Sequence, residues 1–295
     1  MARATPVHGT VIAAFGRHYE IALTDGRTVT GFPRGKKSPF ACGDEIELDL
    51  TATDQGQILR HGERRTLLYR SDEWKQKLIA ANATQLVLVT ATEPAFSDEL
   101  LGRCIAAAEH EGMRIIIVLN KCDLVKELPP AQAGLALYES IGYPVLPLSA
   151  VQDATPLRHF LRGETSVLVG QSGMGKSTLI NTLVPGARAA TREISQALNS
   201  GKHTTTHARL YTTEDGIRII DSPGLQEFGL AHLNRGELEF AFREFRPYLG
   251  HCRFRDCQHE AEPDCALKDA ALLGSISAQR LELFRRIAAT ILTKF

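Results

Sequence analysis

Few short patterns dictate as much backbone geometry as Gly170-Gln171-Ser172-Gly173-Met174-Gly175-Lys176-Ser177, which fits GxxxxGK[ST]. Such a loop works only between a strand and a helix. Its glycines let backbone N–H groups turn inward around phosphate oxygens, and the helix behind adds the positive end of its dipole. The flanks offer both, with an apolar strand-like run at 166–169 and a helix-like run at 177–184. Lys176 is then placed to neutralise β/γ-phosphate charge and the Ser177 hydroxyl to ligate Mg²⁺, with Thr178 at the end of the nucleotide-binding stretch. The competing reading, a plain glycine-rich turn, leaves the coincidence of strand, helix and Gly-Lys-Ser ending unexplained.

From about Lys77, apolar runs at 86–90, 115–119, 145–148, 166–169, 210–213 and 217–220 alternate with helix-like stretches, as in a buried parallel α/β sheet. Asn120-Lys121-Cys122-Asp123 follows the second run and reads as NKxD. The Asp123 carboxylate can accept from guanine N1–H and the exocyclic amine, donors that adenine does not present in that arrangement. Asn120 is expected at the purine edge, the Lys121 stem over a ring face, and backbone N–H groups of Ser149-Ala150 at guanine O6. Asp221-Ser222-Pro223-Gly224 reads as DxxG, with Asp221 holding Mg²⁺ through water and the Gly224 amide meeting the γ-phosphate. The polar segment between, 194–207, contains Gly201-Lys202-His203-Thr204-Thr205-Thr206. One of its threonines is expected to ligate Mg²⁺ beside GTP, Thr205 ahead of Thr204; the alternative is a disordered connector.

A Ras-like GTPase runs P-loop, switch threonine, DxxG, NKxD, SA, whereas here Asn120 and Ser149 precede Gly170 and Asp221 comes last. This order is a circular permutation. A parallel sheet places its sites at strand ends wherever the chain is cut, so the pocket survives. DxxG now leads directly into the C-terminal residues, so loss of the γ-phosphate is expected to move them.

The two ends of the chain differ in texture from its middle. Residues 9–70 carry short β-like runs separated by turn signals such as Asp25-Gly26, which reads as a small barrel. Arg34, Lys36, Lys37, Arg60, Arg64, Arg65 and Arg70 are expected at its surface as an RNA-binding face, against the alternative of an ordinary solvated surface shared with Asp44, Glu45, Glu47 and Asp49. With 34 Lys+Arg against 34 Asp+Glu, any nucleic-acid contact must come from such local patches. Near the other end, Cys252, Cys257, His259 and Cys265 have compact metal-ligand spacing, and three thiolates with one imidazole suit a closed structural Zn²⁺ site. Six cysteines are too few for a disulfide scaffold, and no apolar run is long enough for a membrane helix, so the protein is expected in the cytoplasm without membrane contact. Cys42, Cys104 and Cys122 are expected to be packing or loop residues.

Together these elements closely resemble the RsgA (YjeQ) family of small-subunit-dependent GTPases, most specifically in 170–177, 201–205, 221–224 and the Cys/His cluster. The resemblance implies an α/β, circularly permuted P-loop GTPase domain (77–229), preceded by a β-barrel OB-fold domain that binds RNA (1–76) and followed by a small, mainly helical zinc-binding domain (230–295). It further implies GTP hydrolysis to GDP stimulated by the small ribosomal subunit and coupled to release from it, late in that subunit's maturation. The partners implied are the subunit and its rRNA, and a monomer is expected. Ser222 stands where the family usually has threonine, a hydroxyl for a hydroxyl. The position after DxxG, glutamine in Ras, is Leu225, which cannot orient water, so the resemblance favours His203 as the water-orienting catalytic residue, ahead of Gln226. The rival functions are an RNA-binding module with incidental turnover and a P-loop kinase or ATPase, the latter opposed by Asp123.

Overall fold

The computed structural model describes residues 6–35, 39–72, 75–187, 208–222 and 229–292. β1 (Val7–Ala14), β2 (Tyr19–Leu23), β3 (Thr28–Pro33), β4 (Glu45–Leu50) and β5 (Gln55–His61) form the N-terminal barrel. Their alternating burial turns Val11, Tyr19, Ile21, Val29, Ile46, Leu48 and Ile58 inward. Closure comes from β1 pairing with both β2 and β4, while β5 lies between β3 and β4. Of the basic residues expected on its surface, Arg34, Arg60 and Arg65 are exposed, and Lys36 and Lys37 lie outside the described residues. Arg64 corrects the expectation. Its guanidinium binds both carboxylate oxygens of the fully buried Asp44 at 2.7 Å and works as an internal tie. Arg60 is exposed but paired, forking onto Glu47.

The barrel is hydrogen-bonded to the central sheet, since β1 meets β12 (Arg209–Thr212) at Ala13 and Arg209. The central strands are β8 (Gln85–Ala91), β9 (Arg114–Asn120), β10 (Val145–Pro147), β11 (Thr165–Val169), β12 and β13 (Arg218–Asp221), ordered β10-β9-β8-β11-β13-β12. All are parallel to their neighbours except β12. A hairpin of β6 (Leu67–Asp72) and β7 (Lys75–Ala81) joins barrel to sheet and spans the expected border after residue 76.

The sheet is covered on both faces, which is why its strands read as unbroken apolar runs. Leu86, Leu88, Ile115 and Ile117 face α1 (Asp98–His110) and α2 (Leu128–Ser140), whereas Val87, Val89, Ile116 and Val118 face α3 (Thr155–Leu161) and α4 (Lys176–Leu183). Helix α1 starts at an Ser97 N-cap, whose hydroxyl accepts from Leu100 N–H, followed by acidic Asp98 and Glu99.

The C-terminal unit comprises α5 (Arg235–Ala241), a 3₁₀ turn (Arg243–Tyr248), α6 (Ala266–Leu272) and α7 (Ala278–Leu292). α5 ends at Phe242, beyond which the 3₁₀ turn accommodates Pro247. Phe242, Phe245 and Phe284 form an aromatic cluster continuous with the core beneath α1. A Cβ on Gly102 of α1 would stand 2.7 Å from Leu283 Cδ2, so glycine permits the close approach of α7. Glu109 of α1 accepts from Arg243 and Arg246 at 2.7 and 2.6 Å. Any motion of the whole unit must therefore carry α1 with it or part this core. Among the described residues, no helix is long and apolar enough to cross a membrane.

Candidate functional site

Strands β8, β9, β11 and β13 end on one edge of the sheet, and the sequence motifs meet there. After β11 the chain can turn only through glycine: a Cβ at Gly170 would lie 2.2 Å from Val89 O. Gly173 and Gly175 take positive φ angles of 84° and 91°, and α4 begins at Lys176. The Lys176 ammonium, almost fully buried, donates to the carbonyl oxygens of Gly170 and, at 2.9 Å, Gln171. Burial lowers its pKa, while the Asp221 carboxylate pulls it back up. Gln171 Oε1 accepts from Ser97 N–H at 2.7 Å, tying the loop to the start of α1. Ser172, Ser177 and Thr178 are exposed at the mouth, and Met174 is buried beneath it.

Asn120, at the end of β9, is buried, and both ends of its amide are engaged by the protein. Nδ2 donates to Met174 O, and Oδ1 accepts from Ala150 N–H, each at 2.9 Å. One side chain thus straps the phosphate loop to the loop after β10. Its remaining proton and lone pair are what it could offer a purine. Ala150 N–H, expected at guanine O6, is donated here to Asn120. Lys121 adopts a left-handed φ of 61°, and its ammonium donates to Glu93 O at 2.7 Å. The exposed Asp123 carboxylate accepts from Ser149 Oγ at 2.6 Å, which fixes its direction.

Asp221 stands at the end of β13, its carboxyl pushed up to about 6 by burial, against which the Lys176 ammonium acts. Ser222 uses its hydroxyl to donate to Leu168 O at 2.8 Å, anchoring the start of DxxG to the strand that precedes the phosphate loop. His203, Thr204, Thr205, Gly224, Leu225 and Gln226 lie outside the described residues.

In the C-terminal unit, one ligand atom each from Cys252, Cys257, His259 and Cys265 lies within 4.8 Å of every other. A tetrahedral ion with Zn–S about 2.3 Å and Zn–N about 2.0 Å requires S···S edges of about 3.8 Å and S···N edges of about 3.6 Å. Cys252 Sγ lies 3.9 Å from Cys265 Sγ and 3.6 Å from His259 Nδ1, and Cys265 Sγ lies 3.2 Å from that nitrogen. The first two edges match zinc and the third falls short by about 0.4 Å, whereas a disulfide demands about 2.0 Å. Burial opposes the charged imidazole of His259, but its hydrogen bonds to Glu239 and Cys265 outweigh this and raise its pKa. Glu239 stands 3.2 Å from His259 Nε2, the outward partner that orients a ligating imidazole. No local pattern had singled out Glu239, because the pairing joins α5 to a distant turn. His259 sits at a left-handed φ of 59°, and its carbonyl accepts from the Arg285 guanidinium on α7.

The family model described as RsgA GTPase matches residues 61–231. Relatives named small ribosomal subunit biogenesis GTPase RsgA include that of Nitrosospira multiformis, 51% identical over 98% of this chain and 92% of its own length. The protein of that name from Burkholderia pseudomallei is 56% identical over 95% of this chain and 90% of its own. Among solved structures, YjeQ from Thermotoga maritima superposes with a TM-score of 0.74 at 26% identity, covering 98% of this chain and 99% of its own. YloQ, described as a circularly permuted GTPase, gives 0.71 at 25% identity, covering 99% and 97%.

Proposed function

The chain belongs to the RsgA GTPase family and is a GTP hydrolase, and on that premise we propose that it acts late in maturation of the small ribosomal subunit, hydrolysing GTP to GDP and phosphate there and leaving the subunit as it does so. The observation that carries the reading is the strap through Asn120. It joins the phosphate loop to the loop that also fixes the Asp123 carboxylate, while Lys176 and Asp221 act on one another at the same strand-end edge. A terminal phosphate and a guanine edge are thereby addressed by one site.

In this reading residues 170–178 cradle the phosphates, Lys176 balancing their charge, and Asp123 selects guanine by accepting from its N1–H and amine. Ser177, Asp221 and Thr205 would hold Mg²⁺, which supplies positive charge to the β- and γ-phosphate oxygens when bound. His203 orients the attacking water, because Leu225 cannot. A water-orienting residue on the switch segment makes turnover slow until the subunit orders that segment. The division at residues 76/77 and 229/230 assigns rRNA contact to the barrel, through exposed Arg34 and Arg65 among others, and one structural Zn²⁺ to Cys252, Cys257, His259 and Cys265. The protein works as a cytoplasmic monomer.

Single-turnover GTP hydrolysis with and without purified small subunits tests the proposal. Stimulation by small subunits, absent with large subunits and lost in His203→Ala, is the expected result. A rate indifferent to small subunits would overturn the function, and a stimulated rate equal to wild type in the variant would remove His203 from it.

A further inference from the structure

We propose that His110, Glu111 and His232 form a second divalent-metal site, separate from the cysteine cluster and suited to Zn²⁺, Ni²⁺ or Co²⁺, whose occupation pins the segment after DxxG to the end of α1. A ring nitrogen of each histidine and a carboxylate oxygen of Glu111 all lie within 4.8 Å of one another. Two imidazoles and a carboxylate are a borderline donor set, matched to late divalent transition ions and poorly matched to Mg²⁺ or Ca²⁺. With three protein ligands, the remaining position is left to water.

The geometry is fixed in advance by the surrounding fold. Glu111 caps α1, and its Oε2 accepts from Leu67 N–H of β6 at 2.7 Å, which holds the carboxylate in place with further lone pairs to offer. The His232 ring packs against Tyr69 at 4.9 Å and edge-on to His110 at 5.7 Å, so its orientation is already restricted. Neither imidazole is used by the nucleotide site or the cysteine cluster. The consequence lies in connectivity. His110 and Glu111 end the helix whose Glu109 grips the C-terminal unit, while His232 sits between DxxG and α5. An ion bound to all three would cross-link the nucleotide-sensing segment to that platform.

The test titrates Co²⁺ into the full chain with zinc already held by the cysteine cluster, followed by absorbance and by calorimetry. One further ion per chain should bind without the thiolate-to-cobalt charge-transfer band and should raise the thermal midpoint. His232→Gln and His110→Gln should each weaken that binding at least about 10-fold, the scale seen for lost metal-site partners, while retaining the cluster's zinc. His110 is exposed, so its variant tests the site with little disturbance to the core. Absence of a further ion, binding unchanged in both variants, or a thiolate band from the added ion would each overturn the proposal.

Discussion

Replacing Asn120 by alanine removes a side chain that bonds both the phosphate loop and the loop after β10. The residue is 2% exposed and makes its two hydrogen bonds at 2.9 Å to Met174 O and Ala150 N, on residues 1% and 3% exposed. A buried hydrogen bond contributes about 1 kcal/mol net, and a partner left unpaired costs about 1–3 kcal/mol. The truncation is therefore expected to cost about 2–6 kcal/mol, towards the lower end if water enters from the mouth. Nucleotide that binds only the strapped arrangement is weakened in proportion to the molecules that lose it. A shift of about 2 kcal/mol in that equilibrium gives about 30-fold weaker GDP binding. Urea melts measure the first quantity and titration of a fluorescent GDP analogue the second. Because the side chain acts through the backbone, GDP and inosine diphosphate should weaken alike. A variant that keeps both its urea midpoint and its GDP affinity within twofold of wild type would refute the strap.

Gly175→Ala should weaken GDP at least about 10-fold, because the left-handed backbone alone costs about 1–2 kcal/mol and the new Cβ would stand 2.2 Å from Asn120 Nδ2; wild-type affinity would contradict this. Glu239→Ala should lower zinc affinity about 10- to 100-fold in chelator competition, and an unchanged affinity would remove Glu239 from the orientation of His259. Without metal or nucleotide, Asp221 has a pKa of about 6 in the fold against 3.8 ordinarily. Its contribution to stability is thus fully present below about pH 4 and lost as pH rises through about 6, a swing of at most about 3 kcal/mol. Asp221→Asn abolishes that swing, so the difference between the two stability–pH curves in chelator should bend across this window, and parallel curves would contradict it.

The phosphate loop, NKxD and the start of DxxG were legible in sequence because each demands particular residues at fixed spacing: glycine where a Cβ would strike Val89 or Asn120, and a carboxylate after a strand end. The cysteine cluster was legible for the same reason. Pairings between distant segments were not. Nothing local to Ala13 or Arg209 announces that barrel and sheet join there, and nothing near Arg64 announces that it serves a buried Asp44 rather than an RNA surface. Nor does any local pattern announce that α7 lies against Gly102. The role of Asn120 was half read: its placement followed from the motif, but its bonds to Met174 and Ala150 depend on three strands arriving together.

In the proposed function Asp123 reads guanine at the same strand-end edge that carries Lys176 and Asp221. Xanthine carries a carbonyl where guanine carries its amine, so an amide in place of the carboxylate exchanges acceptor for donor at that edge. Calorimetric titration of wild type and Asp123→Asn with GDP and with xanthosine diphosphate measures it most directly. Wild type should prefer GDP and the variant xanthosine diphosphate, with thermal stability unaltered; a variant that still prefers GDP would contradict the account.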